Sequence, residues 1–161
     1  MGFTVAGKHW LVAMRSKSSL ETLTLREFQL STDYSHVIAL WNNAGPGIHI
    51  RRSDAKEEIT KKLQRDPDLF LVAEVGDQIV GTVLGGFDGR RGMVYHLAVA
   101  HSFRKKGVGA ALMSELEKRM KHKGCIRTYL LVTRDNLDSI RFYESQNWES
   151  MDLLIFGKDL E

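Results

Sequence analysis

The chain has 161 residues, 43% of them hydrophobic and 27% charged, with a formal net charge of +3. That is the make-up of one globular domain able to bury a core, and the charge excess is too small to argue for a nucleic-acid partner. A single cysteine, Cys125, rules out an intramolecular disulfide and a cysteine-cluster metal site, no His-Glu-x-x-His spacing occurs among the six histidines, and no apolar run approaches the ~20 residues that span a bilayer.

Residues 1–22 are expected to be an N-terminal extension, ordered at most in part. Its apolar patch, Trp10-Leu11-Val12-Ala13-Met14, is shorter than a signal-peptide core and lacks a small-x-small cleavage site. A reduced, cytoplasmic setting is therefore expected, and Met14 is a second candidate start. The domain itself is expected over 23–161. Residues 23–28 alternate as a first strand. Ser31 or Thr32 is placed to cap a helix carrying Val37, Ile38, Leu40 and Trp41 on one side, and Asn42-Asn43-Ala44-Gly45-Pro46-Gly47 ends it. Ser53 or Asp54 starts a second helix, with Ile59 and Leu63 on its apolar side, stopped by Asp66-Pro67. Residues 69–75, 78–87 and 93–99 read as an antiparallel meander joined by the Gly76-Asp77 turn and the turn at 88–92. Gly85-Gly86 inside the second of these strands marks either space for a ligand, here the acceptor, or a kink at a sheet edge.

The run Val94-Tyr95-His96-Leu97-Ala98-Val99 leads into Arg104-Lys105-Lys106-Gly107-Val108-Gly109-Ala110, and an amphipathic stretch follows over 111–122. Strand, basic glycine turn and helix start make an anion site suited to a pyrophosphate. Free N–H groups and the helix dipole point outward there, and Gly107 and Gly109 admit close approach and positive φ. The competing reading is a helix entry dressed with solvated lysines. Neither the Walker nor the dinucleotide pattern is present, because Leu112 stands where a third glycine would be needed. Lysines beyond residue 117 read as a solvated face. The helix crosses over to a short buried strand within 127–133, which should lie parallel to 93–99, and Cys125 just before it reads as a packed thiol.

The stretch 135–148 completes a pattern. Arg104, Gly107 and Gly109 after a strand, followed by Asn136, Ser139, Phe142 and Tyr143, resemble in order and spacing the two motifs of the GNAT superfamily, the GCN5-related N-acetyltransferases. The resemblance covers residues 23–160. Asn147-Trp148 replaces the family's Gly-Phe, and Asn suits a left-handed helix-ending conformation. The resemblance implies an α/β (α+β) fold with a mixed, mostly antiparallel central sheet of about six to seven strands and about four helices. It also implies a last helix at 136–146, a terminal strand near 152–158 and a splayed parallel strand pair.

In function, the resemblance implies transfer of an acetyl group from acetyl-CoA, as acyl donor, directly to a primary amine of a small molecule. No metal, nucleic acid or membrane is expected to take part, and the protein is expected to be a monomer or homodimer. The donor's pantetheine arm would pair with the backbone of Leu97, Ala98 and Val99. Its pyrophosphate would meet Arg104, Lys105, Lys106, Gly107, Val108, Gly109 and Ala110, with Asn136, Ser139 and Tyr143 completing the set. A lysine-type amine with a pKa of about 10.4 must lose a proton before it attacks, charge on the carbonyl oxygen must be held, and the departing sulfur must gain a proton. Tyr143 is the candidate acid, since a phenol donates while neutral; the competing role is a core ring. Asn136 is a cofactor contact, a helix cap, or both. The strands at 93–99 and 129–133 carry no carboxylate, so His96, with an unperturbed pKa of about 6.5 for its residue type, is the candidate base. Simple alternation puts His96 and Tyr95 on opposite faces, which a bulge would change. Glu74, Asp88 and a water chain are the other candidates, and a backbone N–H near Leu97 is the candidate oxyanion donor. Two other functions fit the resemblance: a protein N-terminal or lysine acetyltransferase, although Leu131 stands where ribosomal-protein acetyltransferases carry a glutamate, and a non-catalytic CoA-binding regulatory module.

Overall fold

A computed structural model describes residues 10–13, 22–45 and 47–160. The chain forms two compact units, one ending at Leu131 and one running from Val132 onward. The first holds a six-stranded sheet in which spatial order equals chain order: β1 (Trp10–Ala13), β2 (Thr22–Glu27), β3 (Phe70–Val75), β4 (Gln78–Phe87), β5 (Gly92–Val99) and β6 (Thr128–Leu130). Pairing is antiparallel through β5, and β5–β6 is parallel because helix α3 (Val108–His122) lies between them in sequence. Helices α1 (Leu30–Asn42) and α2 (Lys56–Arg65) separate β2 from β3, and α4 (Leu137–Ser145) belongs to the second unit. Six strands and four α-helices among the described residues agree with the expected mixed, mostly antiparallel sheet.

Each face of the sheet buries one set of side chains. Phe28, Val37, Trp41, Ile59, Phe70, Val72, Leu84 and Ala98 form the core under α1 and α2, with the Phe28 and Phe70 rings stacked at 4.0 Å. Because β3 is covered on both sides, Phe70–Ala73 is buried without alternation. On the other face α3 sits close to β4 because glycines admit it. A Cβ on Gly81 would stand 2.9 Å from Val108 Cγ1, and one on Gly85 would stand 2.7 Å from Leu116 Cδ1 and from Met120 Cε. On the opposite face a Cβ on Gly86 would be 3.2 Å from the Tyr95 ring. The Gly85-Gly86 pair is thus explained by a helix on one side and a ring on the other, not by room for an acceptor.

Several local expectations need correction. Helix α1 begins at Leu30, and neither Ser31 nor Thr32 caps it. The Asp33 carboxylate instead turns back to accept from the Gln29 N–H at 2.8 Å. A 3-10 turn at Arg52–Asp54 precedes α2, which starts only at Lys56. Strand β6 is three residues long and only half-buried, since among the described residues it pairs on one side alone. No strand forms near 152–158; Leu153, Leu154, Ile155 and Phe156 are exposed, and a strand cannot persist without a ladder partner. Trp10–Ala13, within the expected extension, pairs with β2; residues 1–9 and 14–21 lie outside the described residues. Asn147 takes the left-handed conformation expected of it, with φ +63°.

A forked ion pair fastens α1 to the sheet. Arg26 of β2 donates to both Asp33 oxygens, at 2.6 and 3.0 Å, and also to Glu74 of β3. Burial opposes the charged form of Asp33, but the hydrogen bonds from Arg26 and Gln29 and the Arg26 charge outweigh it and hold the carboxyl below its usual range. Asp33→Asn is expected to cost about 2 kcal/mol at neutral pH. The Asp33 contribution is complete above the unfolded carboxyl value of about 3.9 and is lost as pH falls through the lower folded value. The stability gap between wild type and variant in urea melts should therefore narrow in strong acid. A gap of constant size would show that packing, not charge, holds α1.

Candidate active site

The first part of the site is the far half of β5. Its parallel pairing with β6 runs only from Gly92 opposite Thr128 to Val94 opposite Leu130. Strand β5 continues to Val99, so along Tyr95–Val99 no strand among the described residues pairs on that side. This is the splay that the resemblance implies, and it leaves backbone groups around Leu97, Ala98 and Val99 as an edge. Ala98 is core by its side chain, so only its backbone is available to a ligand.

A bulge lies at the point of divergence. Gly85 opposes Val94 and Leu84 opposes His96, which leaves Tyr95 as an extra residue in β5. Tyr95 lies over Gly86, and His96 stands edge-on to Trp41 with ring centroids 4.6 Å apart. Both side chains therefore occupy the face covered by α1 and α2. His96 Nε2 is 3.0 Å from Oδ1 of the buried Asp54. Asp54 Oδ2 accepts from the Arg51 N–H at 2.9 Å, and the Asp54 carbonyl accepts from the Tyr34 hydroxyl at 3.1 Å. Trp41 is fixed in turn by its indole N–H, which donates to Thr82 Oγ1 at 2.8 Å. Sequence reasoning reached His96 but missed Asp54, which reads as a helix start and lies 42 positions away. The other carboxylates considered have structural partners. Glu74 binds Arg26, and Asp88 accepts the Arg90 and Arg91 N–H groups that close its turn, which hold its carboxyl below the usual range.

The second part is the turn into α3. Gly107 is the N-cap residue, left-handed at φ +86°, and a Cβ there would meet nothing within 4 Å. Lys105 is also left-handed, at φ +57°. Ala111 is the first N–H of α3 to donate back, to the Gly107 carbonyl at 2.9 Å, so those of Val108, Gly109 and Ala110 have no acceptor within the helix. Val108 buries its side chain and Lys106 lies over the Phe103 ring at 5.1 Å. The Arg104 side chain works locally: Nε donates to the Val99 carbonyl at 3.1 Å and an Nη to the Ala44 carbonyl at 2.7 Å. Open space above Gly107, unpaired N–H groups and exposed Lys105 and Lys106 together fit a pyrophosphate.

The remaining residues singled out in the sequence belong to the second unit. Asn136 caps α4, its Oδ1 accepting from the Ser139 N–H at 3.2 Å. Tyr143 packs beside Phe142 and Trp148, with centroids 5.2 and 6.0 Å away, and its carbonyl accepts from the Trp148 N–H at 3.0 Å. Burial pushes the Tyr143 phenol up to about 12, which keeps it protonated at neutral pH. Cys125, the one thiol of the chain, is half-buried and donates to the Arg127 carbonyl at 3.3 Å. It precedes β6 beside the Gly92 end of β5, at the opposite end of that strand from Leu97–Val99. Among the described residues no His, Cys, Asp or Glu cluster is arranged to hold a metal, and no helix is long and apolar enough to cross a membrane.

The chain is similar to known proteins in sequence and in fold. The family model described as "Acetyltransferase (GNAT) family" matches residues 26–148. An acetyltransferase of Pectobacterium atrosepticum is 43% identical over 128 residues, covering 80% of this chain and 89% of that protein. One of Yersinia enterocolitica is 41% identical over 138 residues, covering 86% and 96%. Among solved structures, the PaiA N-acetyltransferase of Thermoplasma acidophilum in complex with coenzyme A superposes with a TM-score of 0.70 at 21% identity, covering 81% of this chain and 92% of that one.

The turn generates a test. Gly107→Val forces a branched residue into a left-handed conformation, at about 1–2 kcal/mol, and fills the space above the turn. Gly107→Asn tolerates positive φ and isolates the second effect. Both variants should lose CoA binding by calorimetry, the Asn variant with a near-native melting curve. Unchanged affinity in both would make the turn a helix entry and nothing more.

Proposed function

The chain belongs to the acetyltransferase (GNAT) family and is an acetyl-CoA-dependent N-acetyltransferase, and from that premise we propose that it acetylates the primary amine of a small molecule by direct transfer. In this reading the donor lies along Leu97–Val99 and over the turn from Arg104 to Ala110, with Asn136, Ser139 and Tyr143 as further contacts. His96 accepts the amine proton as the nitrogen bonds to the acetyl carbon; the thioester C–S bond breaks, and Tyr143 gives its proton to the departing sulfur and regains one from solvent. The observation that carries it is the continuity of β5: the edge left open by β6 begins where the bulge turns His96 toward α1 and α2. Base and donor edge are thereby neighbours on one strand, which is what attack on a thioester carbonyl needs.

Direct transfer is supported by the position of Cys125, which leaves no thiol near the β5 edge to carry an acyl group. A small acceptor is supported by Leu131, which stands where the resemblance to ribosomal-protein acetyltransferases implies a glutamate. The deciding experiment follows thiol release from acetyl-CoA with a diamine, an aminoglycoside, free lysine and peptides with free N-termini. Peptides outpacing every small amine would replace this reading with protein N-terminal or lysine acetylation.

Acetyl-CoA itself should raise the melting temperature. At 100 times its dissociation constant a ligand adds roughly 2.7 kcal/mol. Tyr143→Phe keeps the ring and removes only the hydroxyl, so donor affinity should persist while turnover falls by about 100- to 10,000-fold. A wild-type rate in that variant would leave Tyr143 a packing residue.

A further inference from the structure

We propose that Asp54 is the positioning residue for His96, holding the imidazole in the one tautomer that can take a proton from the acceptor amine; this rests on His96 being the base. An imidazole is a base only at a nitrogen with a free lone pair, and which nitrogen that is depends on what the other one touches. Here Nε2 faces Asp54 Oδ1 at 3.0 Å. A carboxylate only accepts, so Nε2 carries the hydrogen and Nδ1 is left as the basic atom. The contact is well enclosed: the Asp54 and His96 side chains are 6% and 17% exposed. Asp54 is itself held on two further sides, by the Arg51 N–H at Oδ2 and the Tyr34 hydroxyl at its carbonyl. Trp41 stands edge-on to the same ring, with centroids 4.6 Å apart. The carboxylate also stabilises the imidazolium formed when Nδ1 accepts the amine proton, and that proton passes to solvent after the C–S bond breaks.

Tyr34 is bonded to Asp54, and Tyr95 lies exposed over Gly86. Lys62 of α2 pairs with Asp66 at 2.9 Å, beside Gly86. Arg26, Asp33 and Glu74 are closed on one another at β2 and β3. Asp54 is therefore the carboxylate in contact with the ring.

Asp54→Asn tests this cleanly, because an amide oxygen can still accept from the Arg51 N–H. Nitrogen-15 spectra of labelled imidazole need no acceptor. Wild type should show His96 as the Nε2–H tautomer, and the variant should show a mixture or the reverse. With the fastest amine of the panel, kcat should fall at least about tenfold while KM for acetyl-CoA stays within about twofold. His96→Gln separates the two layers. If it is impaired but Asp54→Asn keeps the wild-type tautomer and rate, His96 remains the base and the role of Asp54 is refuted. A wild-type rate in His96→Gln would remove the base itself, and this proposal with it.

Discussion

The extra residue in β5 governs what the sheet can present. Regular alternation from Val94, which faces α3 with Gly85, would send His96 to the α3 side and Leu97 to the α1 side. The bulge at Tyr95 inserts one residue against β4 and reverses that parity. His96 and Ala98 then fall under α1, where Trp41 and Asp54 wait, while Leu97 and Val99 turn toward α3. The increased local twist at a bulge also suits the place where β6 stops following β5. One irregularity thus coincides with the opening of the parallel pair and the delivery of a polar ring to the covered face.

The α3 face depends on a different economy of atoms. A helix of fifteen residues packs close to β4 because Gly81 and Gly85 offer no Cβ beneath Val108, Leu112, Leu116 and Met120. That close seat fixes the height of the helix start, and so the level at which the N–H groups of Val108, Gly109 and Ala110 emerge beyond the end of β5. Glycine in the strand positions the turn, and glycine in the turn leaves it open.

Much of this was legible beforehand because it is local. The strand at 93–99, the glycine turn and the helix after it each follow from periodicity and turn chemistry within a few residues. The same is true of the Gly76-Asp77 hairpin and the left-handed Asn147. What escaped was pairing at a distance. Asp54 reads as a helix start because nothing near it in sequence hints at His96, and Gly85-Gly86 reads as vacant because the side chains that fill the space arrive from 116, 120 and 95. The cap of α1 was misassigned for a related reason: Asp33 is drawn back by Arg26 on another strand, which overrode the local preference of Ser31 and Thr32. The terminal strand had the right composition, but composition supplies only one side of a ladder.

Arg104 bridges two carbonyls that belong to different parts of the machinery. Val99 ends β5, and Ala44 stands near the start of the loop between α1 and α2. A ligand that shifts this guanidinium on one side must strengthen or weaken its hold on the other. The close of β5 and the start of the α1–α2 loop therefore answer to a single side chain, residue 104.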